Sequence, residues 1–143
     1  MSNEDLIVIP IEINFPDFYN KYFSSVPDPK KNVKRGQPYI AYRDEERNSC
    51  EISFTYIIKK EMRVIFTLQF EKEDNSYKGR ISQTDVALLK VERNSLENKW
   101  RGSLEKAKNN QETKDAVESF LHDINKIREE LQRQYSPSTK HLF

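Results

Sequence analysis

The clearest pattern in the chain is an alternation of apolar and polar side chains from residue 50 to residue 70. The apolar set is Cys50, Ile52, Phe54, Tyr56 and Ile58 in the first run, then Met62, Val64, Phe66, Leu68 and Phe70 in the second. Lys59, Lys60 and Glu61 separate the two runs. Because successive side chains of a strand point to opposite faces, the pattern predicts an antiparallel hairpin with one buried and one mostly wet face.

Shorter apolar runs on either side of this hairpin predict further strands. Isoleucines alternate in the segment Leu6–Ile13, where Pro10 favours an edge strand or a break. Short strands are also predicted at Pro38–Arg43 and Tyr77–Gln83. The segment Asp85–Arg93 fits either a strand or a helix.

The last third of the chain changes to helical spacing. From about Asn110 to Tyr135 the apolar positions recur every three or four residues, which predicts an amphipathic helix. Its stripe consists of Val117, Phe120, Leu121, Ile124, Ile127, Leu131 and Tyr135. The same spacing predicts a helix from Ser95 onward, with Leu96, Trp100, Leu104 and Ala107 as its apolar positions. Aromatic residues predict a short helix at Phe18–Phe23.

Together these elements predict an α+β fold. An antiparallel sheet of about four to six strands would pack against the long C-terminal helix and shorter helices. We expect a single domain at residues 1–135, β-rich over 1–93 and helical over 94–135, followed by a flexible tail at 136–143. A curved sheet wrapped on the helix and a plain two-layer sandwich fit the pattern equally well.

Charge is abundant but balanced in this sequence. Charged residues make up 33% of the 143 positions, with 24 Lys and Arg against 23 Asp and Glu, and the mean hydropathy is −0.88. Such balance gives no general attraction to nucleic acid or to membranes. The one cysteine, Cys50, excludes an intrachain disulfide, and its strand position predicts a buried, inert thiol. We expect a cytoplasmic protein with no membrane contact.

Residues suited to catalysis are scarce. The two histidines, His122 on the polar helix face and His141 in the tail, have no metal ligands at a useful spacing. Three glycines are too few for a phosphate-binding loop. We therefore predict no catalytic residue, no metal and no cofactor, and a protein that is not an enzyme. A metal-dependent hydrolase using Asp44, Glu46 or Glu51 is a further hypothesis.

The leading functional hypothesis is a non-enzymatic interaction or regulatory protein. It would bind a protein partner, or itself as a homo-oligomer, through its helical third or through the exposed sheet face. The stripe from Val117 to Leu131 steps by three and four residues, as in a coiled-coil seam, but extends over only about two heptads. The candidate partner-binding residues are Trp100, Phe120, Ile124, Ile127 and Leu131.

Two other binding hypotheses remain open. The basic loop at residues 30–43 could form a small nucleic-acid- or phosphate-binding module, because cations neutralise phosphates and tyrosines stack on bases. Its candidate residues are Lys30, Lys31, Lys34, Arg35, Tyr39 and Arg43. Alternatively, a curved sheet could enclose a small apolar ligand among Phe54, Tyr56 and Phe66.

Overall fold

The computed structural model describes residues 5–44 and 46–135, in which eight strands form one antiparallel sheet. The strands are β1 (Leu6–Pro10), β2 (Lys34–Arg35), β3 (Tyr39–Tyr42), β4 (Ser49–Lys59), β5 (Met62–Glu73), β6 (Ser76–Arg80), β7 (Asp85–Glu92) and β8 (Ser95–Ser103). The helices are α1 (Phe15–Phe23), α2 (Leu104–Lys108) and α3 (Lys114–Tyr135), with a 3₁₀ turn at Ile81–Gln83. The predicted α+β fold is confirmed, with more strands than expected.

The predicted hairpin is the centre of the sheet. Strands β4 and β5 pair along almost their whole length, with Phe54 opposite Phe66. Each then changes its outer neighbour along its length: β5 pairs with β7 near Met62 and with β6 near Glu73, while β4 pairs with β3 and then β2. The sheet therefore has different outer strands at its two ends.

The core lies between the sheet and the helices α1 and α3. Phe120 of α3 stacks in parallel on Phe66, with ring centroids 4.4 Å apart, and also contacts Phe54. Phe15 of α1 meets Phe54 edge to face, with centroids 6.2 Å apart. We call the side of the sheet that carries Phe54 and Phe66 the core face, and the opposite side the outer face.

Helix α3 confirms most of the predicted stripe, although Leu121 is only half-buried and Tyr135 is exposed. Val117, Phe120, Ile124, Ile127 and Leu131 are all buried, because their spacing places them on the side of the helix that meets the core face. The helix begins at Lys114 rather than near Asn110. None of the helices in the described ranges is both long and apolar enough to span a membrane. The predicted tail at residues 136–143 lies outside the described residues.

The helix predicted from Ser95 is wrong for most of its length. Residues Ser95–Ser103 form β8, which pairs with β7 after a tight turn in which Arg93 adopts a left-handed backbone conformation with a φ of 41°. Only Leu104–Lys108 is helical. A register shift beside Leu88 leaves Lys99 without a pair, so that Trp100 comes opposite Leu88 on the core face. The spacing was misleading because an interval of four residues, as between Leu96, Trp100 and Leu104, fits one face of a strand as well as a turn of helix. The ambiguous segment Asp85–Arg93 is correspondingly a strand.

Two glycines allow close packing beside the sheet. A Cβ at Gly79 would lie 2.8 Å from the carbonyl oxygen of Gln69 and 3.0 Å from the Phe70 ring. A Cβ at Gly102 would lie 2.8 Å from the outer edge of the Trp100 indole. The first neighbour is paired backbone that has no room to move, whereas the second is a partly exposed side chain.

We expect Gly79→Ala to lower the free energy of unfolding by about 1–3 kcal/mol, because the new methyl group overpacks the strand pair. Urea denaturation measures the loss. Gly102→Ala is the matched comparison, since the indole can turn away; we expect a smaller loss together with a shift in the emission of Trp100, the one tryptophan. Equal losses in the two variants would contradict this assignment.

Candidate functional site

Four of the five predicted partner-binding residues lie in the core. Phe120, Ile124, Ile127 and Leu131 are buried against the sheet, and Trp100 is half-buried at the edge of the same cluster. A helix that already uses its apolar stripe to cover a sheet has no second apolar face to offer. These four side chains therefore pack in the core and are not exposed on the surface.

The basic loop contributes one of its cations to a buried ion pair. Arg35 donates from Nε to Asp123 Oδ2 at 2.7 Å and from Nη2 to Asp123 Oδ1 at 2.9 Å. The side chains are 9% and 1% exposed, respectively. Arg35 also donates from Nη1 to the carbonyl oxygen of Val26 and from Nη2 to that of Pro27, and Asp28 lies 3.7 Å from Nη1. A guanidinium satisfied in this way holds the chain together and is not available to an external phosphate.

Tyr56 and His122 complete the group, which we call the Asp123 cluster. The Tyr56 hydroxyl donates to Asp123 Oδ2 at 2.8 Å, and His122 Nδ1 lies 3.1 Å from Asp123 Oδ1. Burial, followed by the charge of Asp123, raises the pKa of Tyr56 well above its ordinary value, so the hydroxyl keeps its proton. A usable sequence signal existed: Asp123 lies in phase with the apolar stripe, where a carboxylate requires a buried partner.

The other predicted residues of the basic loop divide into paired and exposed groups. Lys30 forms ion pairs with Asp115 and Glu118, and Arg43 forms one with Glu51. Lys31, Lys34 and Tyr39 are exposed, and no described carboxylate pairs with either lysine. The loop is therefore not the continuous cationic site that its sequence suggests.

The predicted interior ligand site is filled by aromatic side chains. Phe54, Tyr56 and Phe66 are almost completely buried. Tyr56 packs edge to face on Phe66, and Phe120 covers both Phe66 and Phe54. Since these rings occupy the space between the sheet and α3, they do not line a ligand cavity.

The acidic residues considered for a hydrolase serve local contacts. Asp44 Oδ1 accepts from the backbone nitrogen of Asn48 at 2.8 Å, and Glu46 accepts from the Asn48 side chain at 3.3 Å. Glu51 pairs with Arg43. Within residues 5–44 and 46–135, no group of three or more His, Cys, Asp or Glu side chains is placed to hold a metal ion.

An open cleft lies at the β3 end of the core face. Its volume is about 460 Å³, within the range of ligand sites. The segment that follows β1 forms one wall and β3 with β4 forms the other. Its lining residues are Ile9, Pro10, Ile11, Glu12, Ile13, Asn14, Phe15, Pro16, Ile40, Tyr42, Cys50, Ile52 and Tyr77. The sequence predicted a ligand site among the aromatic residues at the centre of the sheet. The open space lies instead at the β3 end of the core face.

Strand β3 presents unpaired backbone groups beside this cleft. The Arg43 nitrogen donates to the Ser49 carbonyl oxygen at 3.2 Å, which sets the phase of the β3–β4 ladder. Because backbone groups alternate in direction, Tyr39 and Ala41 bond to β4 and the groups of Ile40 and Tyr42 point away from it. No backbone hydrogen bond from another described residue reaches this outer edge. Ile40 and Tyr42 therefore combine cleft-lining side chains with free donors and acceptors.

The Tyr42 side of the cleft is held in place by local contacts. The Arg47 guanidinium lies over the Tyr42 ring, 4.7 Å from its centroid. The Tyr77 hydroxyl donates to the Arg47 carbonyl oxygen at 2.6 Å. Such contacts restrict the aromatic wall before anything binds, which reduces the entropy lost on binding.

Cys50 forms part of the cleft floor. Its side chain is 4% exposed, and burial, with a contribution from Glu51, raises its pKa to about 11. The predicted buried thiol is confirmed. A thiol that keeps its proton at neutral pH is a poor nucleophile, so the cleft floor is chemically quiet.

We expect Asp123→Ala to lower the free energy of unfolding by about 3–5 kcal/mol, because it leaves a buried guanidinium without its partner. Urea denaturation measures the loss. The double variant Arg35→Met with Asp123→Leu removes both charges and should recover most of the stability. A double variant that is as unstable as Asp123→Ala would contradict the ion-pair explanation.

We expect Cys50 to react with iodoacetamide at pH 8 at least about tenfold more slowly in the folded chain than in the chain unfolded by urea. Burial and the raised pKa both reduce the accessible thiolate. The reaction rate should rise with pH up to about 11 in the folded protein. Mass spectrometry follows the alkylation, and equal rates in the two states would show that the thiol is accessible.

Comparison with protein-family models, with curated protein sequences and with solved structures found no match to this chain. The observations on the cleft and on the β3 edge therefore come from the geometry and chemistry of this chain alone.

Proposed function

We propose that the protein is a non-enzymatic interaction module that binds an extended segment of a protein partner at the outer edge of β3. One apolar side chain of that segment would occupy the cleft. The observation that carries the proposal is the coincidence of free backbone groups at Ile40 and Tyr42 with the apolar wall that their side chains form.

Strand addition satisfies both features at once. Free backbone groups at a sheet edge are a template for another strand, which supplies affinity through hydrogen bonds. Side chains of an added strand alternate between the faces of the sheet. Those in phase with Ile40 and Tyr42 would enter the cleft, where Ile11 and Ile13 favour a large apolar group. Those in phase with Ala41 would face solvent.

Strands β3 and β8, two of the four strands at the edges of the sheet, differ in a way that supports this choice. Strand β8 has a bulge at Lys99 and alternates charged residues, Glu97, Lys99 and Arg101, both of which discourage pairing with another chain. Strand β3 reads Tyr39-Ile40-Ala41-Tyr42 and carries no charge. Of these two edges, β3 is the one suited to receive a strand.

The chemistry of the cleft fits binding without catalysis. Its lining contains no histidine, and its thiol is protonated at neutral pH. A second copy of the chain is the alternative occupant, since two β3 edges could pair with each other across a two-fold axis. A cytoplasmic location forms part of the proposal, because Cys50 remains a free thiol.

Selection from a displayed library of short random peptides, using the full chain as bait, tests the proposal. We expect enriched peptides to share one large apolar residue among β-forming neighbours, and Ile11→Asp to weaken their binding at least about tenfold by placing a charge on the cleft wall. Leu96→Asp is the matched control, since Leu96 is 67% exposed on β8, away from the cleft. Failure to enrich any peptide, or equal loss in both variants, would overturn the proposal.

The backbone contribution has its own test. Ile40→Ala removes the side chain, whereas Ile40→Pro also removes the outward N–H, which does not bond to β4. Strand addition requires Ile40→Pro to bind the selected peptides more weakly than Ile40→Ala. Light scattering of the protein alone separates the alternatives, because binding of a second copy would give a dimer that Ile11→Asp dissociates.

A further inference from the structure

The strand registers define continuous rows of side chains on the outer face. The first row crosses five strands through Lys34, Ile57, Arg63, Leu89 and Asn98. The next row contains Thr55, Ile65, Ala87 and Arg101. A third contains Tyr39, Ser53, Thr67, Asp85 and Ser103. These residues alternate with the buried set, so they all face away from the helices.

The first two rows concentrate cations that have no partner. They contain Lys34, Arg63 and Arg101 and no carboxylate, and no described acidic residue forms an ion pair with any of the three. With strands about 4.8 Å apart, Lys34 and Arg63 are about 10 Å apart across the sheet, and Arg101 extends the line by about the same distance. The balanced total charge conceals this local excess.

The side chains between these cations form a low surface. Thr55, Ile57, Ile65 and Ala87 are half-buried, so they stand little above the sheet. Tyr39, in the third row, is 68% exposed and presents its ring at the side of the surface. An exposed ring beside a line of cations suits a base stacked next to its phosphate.

We propose that this outer face binds the backbone of single-stranded nucleic acid through Lys34, Arg63 and Arg101, with a base stacked on Tyr39. Open sheet faces with cations and exposed rings are a general means of single-strand recognition. The site retains Lys34 and Tyr39 from the basic loop but replaces its paired cations with Arg63 and Arg101.

An acidic peptide fits this face less well. The strands β4, β5 and β7 are paired on both sides, so their backbone offers a peptide no free edge. Peptides gain affinity from backbone pairing or from pockets for side chains. The low surface between the cations provides neither, whereas a phosphate backbone requires only the charges and the ring.

The test is fluorescence anisotropy of the full chain with labelled oligothymidine of about 15 nucleotides. We expect binding at about 50 mM salt that weakens with a log–log slope of about −2, as three phosphate contacts on a single strand require. The triple variant Lys34→Gln, Arg63→Gln and Arg101→Gln should lose at least about tenfold in affinity. Tyr39→Ala should lose about fivefold or more.

A charge-matched control distinguishes this face from general attraction. Lys21→Gln, Lys106→Gln and Lys114→Gln change the net charge equally at exposed positions on three helices. Equal losses in the two triple variants, no binding at low salt, or equally tight variant-sensitive binding of a polyglutamate peptide would each overturn the proposal. Ile11→Asp should leave oligothymidine binding unchanged, which separates this outcome from that of the peptide-binding cleft.

Discussion

The buried charge of Asp123 is the constraint on which the arrangement of this molecule depends. A carboxylate at the helix–sheet interface is tolerated only when its oxygens are satisfied, and here Arg35 and Tyr56 supply the donors. These partners come from β2 and β4, while Asp123 belongs to α3. The helix can therefore take only the rotation and height that bring all three together. Apolar packing alone would tolerate several such positions.

The same pair determines where the chain goes before β3. The guanidinium of Arg35 also binds the carbonyl oxygens at residues 26 and 27 and lies 4.3 Å from the Phe23 ring centroid. The end of α1, the loop after it and β2 are thus tied to one point on α3. Strand β3 follows a few residues later, so its position beside the cleft depends on an ion pair some distance away.

Local periodicity was sufficient to predict the hairpin and α3, because one buried face imposes a period of two on Phe54 and Phe66 and of 3.6 on Phe120 and Ile124. It failed at β8, because Leu96, Trp100 and Leu104 recur every four residues, an interval that fits a helix as well as one face of a strand. Neither the Arg35–Asp123 pair nor the cleft could be predicted in this way. The partners are 88 positions apart, and a cleft depends on where two distant segments stop short of contact.

The two proposed binding surfaces lie on opposite faces of the same sheet, whose central strands β4 and β5 change neighbours along their length. On the core face the cleft opens where β3 and β4 meet the segment that follows β1. On the outer face, strand register aligns side chains in rows, and the row that contains Lys34 and Arg63 runs from β2 to β8. Neutral composition is compatible with both surfaces, because no carboxylate lies in the two rows that carry Lys34, Arg63 and Arg101. Strand register determines which charged side chains lie together on one face, and the amino-acid composition alone does not reveal it.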